Sequence, residues 1–275
     1  MRVHVIQTGH VRANQTVLRG NGWSSLLRRR KDVEFPAFAF IVEHPEGHIA
    51  IDTGRVARGW PVVLPMRRFI PTAPPMTPGE EIGPQMEAQG LRKEDVRRVV
   101  LTHLDVDHAG GIGHFPEAEF LVHRPEYAFA STFLGKQRYR PQDWPAWFEP
   151  TLYDLDPEPH GPFPESKAIT EGGDVRLVPI PGHTIGQVGV ILRTNGVSAL
   201  FTADHLLRQD WFLEDYADGR LKGLGALTFP KRAVETSRRI YRFLEETPAV
   251  LVPSHDSEGP DRLAAMEPLR LERSG

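Results

Sequence analysis

The run His103-Leu104-Asp105-Val106-Asp107-His108-Ala109-Gly110-Gly111 follows directly on an apolar stretch, 98–102, that reads as a β-strand. It places two histidines five positions apart with two aspartates between them. In the absence of thiolates, imidazole nitrogen and carboxylate oxygen are the usual ligands of zinc, manganese and iron. Buried together without a cation, two anions and two basic rings would carry a considerable desolvation cost. The run therefore reads as a metal site; the bland alternative is a polar loop of chance composition.

Working outward, other candidate ligands recur where apolar runs end. His183 stands in Pro181-Gly182-His183-Thr184 after a strand expected over 175–180. Asp204 stands in Thr202-Ala203-Asp204-His205 after a strand over 197–202. His255 closes Pro253-Ser254-His255 after a strand over 249–252. Sites in α/β folds form at such strand ends. Further strands are expected over 2–7, 35–43, 48–52, 119–123 and 187–192. Pro45-Glu46-Gly47 forms one hairpin turn and Asn195-Gly196 another. Helices are expected over 80–89, with Thr77 and Glu80 in capping-box spacing, over 93–97 and, with an amphipathic pattern, over 232–245. Residues 55–78 read as a proline- and arginine-rich surface loop. Residues 128–166 are aromatic and proline-rich without a clear period, as lids and binding loops often are.

Composition narrows the function classes. The 275 residues suffice for one large domain, and 40% hydrophobic with 25% charged content is ordinary for a globular protein. The net charge of −3 gives no electrostatic footing for nucleic acid or an anionic membrane. There is no cysteine, which excludes disulfides, thiolate metal sites and cysteine nucleophiles. No apolar stretch approaches the roughly 18 residues of a membrane span, and a cytoplasmic protein is expected.

Taken in order, IDTG (Ile51–Gly54), HLDVDHAGG, PGHT, TADH and PSHD resemble the motifs of the metallo-β-lactamase superfamily, across about residues 35 to 255. The resemblance implies an α/β fold, the four-layer αββα sandwich, as a single domain over 1–275 with an inserted lid-like loop region at about 128–166. It implies two divalent metal ions: zinc, manganese or iron. His103, Asp105 and His183 would hold one ion, Asp107, His108 and His255 the other, and Asp204 would bridge them. The implied activity is that of a binuclear metallohydrolase. It would open a small ester or lactone by attack of a metal-bridging hydroxide on the carbonyl. Asp107 would be the catalytic proton shuttle besides being a ligand, and Asp204 the catalytic bridge. Asp52 would orient a ligand histidine; its competing reading is a turn-forming residue before Thr53-Gly54. The expected partner is a small-molecule substrate, with no nucleic acid and no membrane, and a homodimer is admitted.

Two departures bear on this reading. Most members carry H-x-H-x-D-H, and Asp105 occupies the place of the middle histidine. A third carboxylate lowers Lewis acidity, favours manganese or iron over zinc, and allows a partly empty first site. The general layout is similar to the N-acyl-homoserine lactone lactonase branch, which carries a tyrosine three residues after the bridging aspartate. Leu207 stands there, leaving Tyr216 or a lid tyrosine as stand-ins. Two alternatives stay open. One is a di-iron redox protein related to the metal domain of flavodiiron proteins, which have a carboxylate at the place of Asp105. The other is a non-catalytic metal-binding protein. Among smaller signals, His205 either faces substrate or makes a neighbouring hydrogen bond. Trp144, Trp147 and Phe148 either line an acyl pocket or, the favoured reading, pack the inserted segment. Arg28–Lys31 and Arg67-Arg68 read as solvated cations.

Overall fold

Two compact units make up the chain, Met1–Thr16 with Arg28–Tyr153, and Val17–Leu27 with Asp154–Gly275. The structure is a computed structural model and describes residues 1–19, 31–59, 72–194, 196–218, 229–269 and 271. Asn195, Arg28–Arg30 and Arg67-Arg68 lie outside the described residues. Among the described residues, no helix is long and apolar enough to cross a membrane.

The first unit is built on a six-stranded sheet in the order β1 (Arg2–Asn14), β2 (Asp32–Glu43), β3 (His48–Ile51), β4 (Val96–Leu101), β5 (Glu119–His123) and β6 (Thr151–Tyr153). Strands β1 to β3 pair antiparallel and β3 to β6 parallel. β1 runs on into the short helix α1 (Gln15–Leu18). Helix α2 (Ile82–Ala88) buries Ile82 and Met86 four residues apart, the spacing that puts both on one face. They join Ile6, Ile41, Val99 and Leu101 in the core. Glu80 accepts a hydrogen bond from the Thr77 N–H at 2.7 Å, as the capping spacing predicts, but on a short 3₁₀ turn ahead of α2. The parallel strands decide where chemistry can occur. β3 ends one residue before Asp52, and β4 ends two residues before His103, which opens the loop into α3 (Val106–Ala109).

The aromatic segment that shows no period in the sequence carries α4 (Arg124–Ala130) and α5 (Phe133–Tyr139) before reaching β6. Phe148 packs edge-on against Phe120 at 5.1 Å and against Trp144 at 5.2 Å, fixing this stretch to the core of the first unit. Trp144 also lines a cavity with Leu104, Val106 and Tyr139, so it serves both readings. Residues 55–59 and 72–78 differ from a plain surface loop. Arg55 is buried and donates to the carbonyls of His10 and Pro74, the latter at 2.8 Å.

The second unit holds a five-stranded sheet in the order β11 (Ala249–Pro253), β10 (Ser198–Ala203), β9 (Val188–Arg193), β8 (Val175–Pro179) and β7 (Lys167–Ala168). Only β10 and β11 run parallel. Helix α7 (Pro230–Glu246) buries Ala233, Ser237, Ile240, Tyr241 and Leu244, a stripe at helical spacing. Ile240 and Leu244 meet Ile191, Leu200 and Leu251 of the sheet in one core. Shorter helices α6 (Gln209–Ala217) and α8 (Gly259–Ala265) follow β10 and β11. The parallel pair again ends on candidate ligands: β10 runs into Asp204, and β11 stops two residues before His255.

Candidate metal centre

In the first unit, Asp52 anchors the histidine run. Its backbone is left-handed, with φ +61°, and its buried carboxylate is saturated by neighbours. Oδ1 accepts from the Thr102 N–H at 2.8 Å, and Oδ2 accepts from His108 Nδ1 at 2.7 Å. The Thr102 hydroxyl lies 2.9 and 2.8 Å from the two oxygens and 3.1 Å from His103 Nδ1. A carboxylate can only accept, so His108 carries its proton on Nδ1. Thr102 spends its one hydrogen on Asp52 and must accept from His103 Nδ1. Both rings therefore present a lone pair at Nε2, the tautomer a metal requires. The rings stand 4.0 Å apart between centroids and are buried.

Backbone contacts hold this geometry. The carbonyl of His108 accepts from both the N–H and the hydroxyl of Thr53, at 2.7 and 2.9 Å. A Cβ on Gly111 would lie 2.2 Å from the Thr53 carbonyl oxygen, so only glycine lets the turn close onto Ile51–Gly54. Asp107 is buried, with Oδ2 3.9 Å from His108 Nε2. Asp105 has Oδ2 3.4 Å from His103 Nε2, but both of its oxygens are held by Arg138. Nε donates to Oδ1 at 2.6 Å and Nη2 to Oδ2 at 2.5 Å.

In the second unit, Asp204 turns its two oxygens to two different histidines. Oδ1 lies 3.0 Å from His255 Nε2, and Oδ2 lies 3.5 Å from His183 Nε2. That is the disposition of a carboxylate able to serve two ions at once. Ala203, just before it, is left-handed at φ +45°, a conformation that costs a non-glycine residue about 1 kcal/mol or more and is tolerated here at the strand end. His205 points its Nε2 at Ser237 Oγ of α7, 3.0 Å away. Burial, and secondarily the charge of His183, push its pKa down to about 3, so it is a neutral hydrogen-bonding residue. It also lines a cavity with Leu207, Arg208, Trp211 and Tyr241.

Two of the expected tyrosine stand-ins have other partners, while the buried hydroxyl of the third, Tyr153, has no hydrogen-bond partner among the described residues. Tyr216 donates to Glu245 at 3.0 Å, and Tyr139 to Glu126 at 2.5 Å. Leu207 is buried. Sequence reasoning missed three residues: Arg138, Glu126 and Arg55. Glu126 accepts from the Leu104 N–H at 3.2 Å as well as from Tyr139. The donors fit divalent ions of the zinc, manganese and iron type: imidazole nitrogens with carboxylate oxygens, free of thiolate and buried except for the half-buried His183.

Fold and ligand types together define a class. Residues 32–255 match the model of the metallo-β-lactamase superfamily, and the chain belongs to that family. It is 31% identical over 230 residues to a probable metallo-hydrolase of Mycobacterium tuberculosis, covering 81% of this chain and 71% of the relative. It is 28% identical over 284 residues to the N-acyl homoserine lactonase AttM of Azorhizobium caulinodans, covering 94% of each. Among solved structures, an N-acyl homoserine lactone hydrolase with N-hexanoyl-L-homoserine at its catalytic metal center superposes with a TM-score of 0.71. That match has 22% identity over 94% of each chain, and it shows the shared metallo-β-lactamase fold. These relatives support a hydrolase.

Proposed function

We propose that this protein is a metal-dependent hydrolase that opens a small ester or lactone. The observation that carries the reading is Asp204, whose two oxygens address His183 and His255 separately. In the proposed centre Asp204 would serve two divalent ions, one held also by His103 and His183, the other by Asp107, His108 and His255. Such ions polarise a carbonyl and lower the pKa of water, whichever of zinc, manganese or iron is present. The chain's own residues do the rest. Asp52 and Thr102 keep His103 and His108 in the tautomer whose lone pair is on Nε2, the ligand atom. Asp107 takes the proton given up by the attacking water and delivers it to the leaving alkoxide oxygen, so that water and ester yield acid and alcohol. The lactonase relatives, AttM among them, support a lactone as the substrate class.

The test is a panel of lactones, aryl esters and phosphodiesters, offered to the full chain after chelation and reloading with zinc, manganese or iron. Turnover of a lactone or ester is expected. Asp107→Asn should cut kcat by about 10²-fold or more while leaving the protein folded. If no carbonyl ester is hydrolysed under any of the three metals, the reading is wrong. An oxygen-bridged iron absorption band without hydrolysis would instead indicate a redox di-iron centre.

A further inference from the structure

Asp105 and Arg138 form the most tightly specified ion pair beside the histidine run. The guanidinium meets the carboxylate with two parallel hydrogen bonds, at 2.6 and 2.5 Å, the arrangement that occupies both oxygens at once. Arg138 is not a loose surface cation. Burial disfavours its charge, but the Asp105 charge and hydrogen bonds outweigh that cost, and its pKa lies above the ordinary arginine value. Its helix is fixed in place. Thr132 caps α5 by accepting from the Gly135 N–H at 3.0 Å. A Cβ on Gly135 would lie 1.9 Å from the Phe129 carbonyl oxygen, so α5 seats bare backbone against the end of α4. Next to Arg138, Tyr139 donates to Glu126, which in turn accepts from the Leu104 N–H. Arg138 of α5 thus grips the histidine run at Asp105, while Glu126 of α4, itself bonded by Tyr139, holds its backbone at Leu104.

We propose that Arg138 withholds Asp105 from the metal, and so makes the ion position at His103 weaker than the one at His108. The inference rests on the proposed metal centre and gives it a regulating residue. Each Asp105 oxygen keeps a second lone pair, but the guanidinium draws off the carboxylate's charge and fixes its orientation, so Asp105 is a poorer ligand while Arg138 holds it. The guanidinium also adds a positive charge beside Asp105, whose Oδ2 is 3.4 Å from His103 Nε2, and like charges repel a bound cation. The His103 position is then left with two imidazoles and the shared Asp204. This nitrogen-rich set suits zinc, and the manganese-favouring third carboxylate is neutralised by its own neighbour.

The experiment is calorimetric titration of the chelated full-length chain with zinc and with manganese, with the visible absorption of cobalt-loaded protein as a second readout of coordination. The native chain should bind two ions, one about tenfold or more weaker than the other. Arg138→Gln should tighten the weaker step by about tenfold, manganese gaining more than zinc, and raise the coordination seen with cobalt. Arg138→Gln combined with Asp105→Asn should return the weaker step to within about threefold of native. If the double variant binds about tenfold more weakly than the native chain, Asp105 is already a ligand and the inference fails. It fails equally if Arg138→Gln changes nothing. Circular dichroism checks folding. Should Arg138→Gln not fold, Arg138→Lys keeps the charge but loses the paired grip, and a smaller tightening is expected; none would overturn the inference. Two equally tight steps would also overturn it while leaving the proposed function standing. A native chain that binds no metal would overturn that function itself.

Discussion

Asp52 shows how much a single residue can carry. Its left-handed backbone turns the chain at the end of β3, and its carboxylate sets the proton positions of two histidines. Both sequence readings of it, the turn former and the histidine partner, describe the same residue. Asp105 is the opposite case. Its partner Arg138 lies 33 positions away, in a segment whose aromatic content masks any period, so no local signal joins them. His205 yields a prediction at this scale. Its pKa falls from the ordinary histidine value to about 3 on folding, so the unfolded chain takes up the proton first as pH drops. The stability it contributes is whole above about pH 6.5 and is lost progressively towards the folded value, with about 2 kcal/mol gone by pH 5. Urea unfolding of the chelated chain at several pH values should show a shallower acid decline for His205→Gln, which can still reach Ser237. Parallel declines would refute the assignment.

Elements with a regular pattern were the legible ones. The stripe of α7 and the apolar runs of β4, β5 and β8 to β11 announce themselves in the residues, and the observed bounds lie within about two residues of the expected ones. β1 extends to Asn14, well past the expected 2–7, because its later half alternates around charged residues. Arg12 there pairs with Glu34 of β2, so polar residues hold the ladder where apolar ones would be recognised. Helix α5 was invisible for a related reason. It buries only Gly135 and Tyr139 and leaves Phe133 and Leu134 in solvent, inverting the usual amphipathic face. Its seating depends on Gly135. Gly135→Ala should therefore cost about 1–3 kcal/mol by overpacking, and should shift metal affinities in the same direction as Arg138→Gln. Unchanged stability in denaturant melts would show that α5 does not need this close approach.

Across the whole molecule, the sequence already displayed the logic of the site: five motifs, each at the end of a strand. Two sheets follow that logic, with parallel strands β3 and β4 in one unit and β10 and β11 in the other leading into the candidate ligands. What the sequence could not display was how the charge is balanced. Three carboxylates in the motifs suggested an oxygen-rich, manganese- or iron-preferring centre. A guanidinium from another element pairs with one of them, and in the proposed centre the other donors are mostly imidazole. The central claim is that one carboxylate, Asp204, serves two ions. The most direct measurement is metal stoichiometry by calorimetric titration and elemental analysis of the full chain, beside Asp204→Ala. The account predicts two ions per native chain, both steps weakened together by about tenfold or more in the variant. A native chain that saturates at one ion, or an Asp204→Ala variant that keeps either step at native affinity, would contradict it.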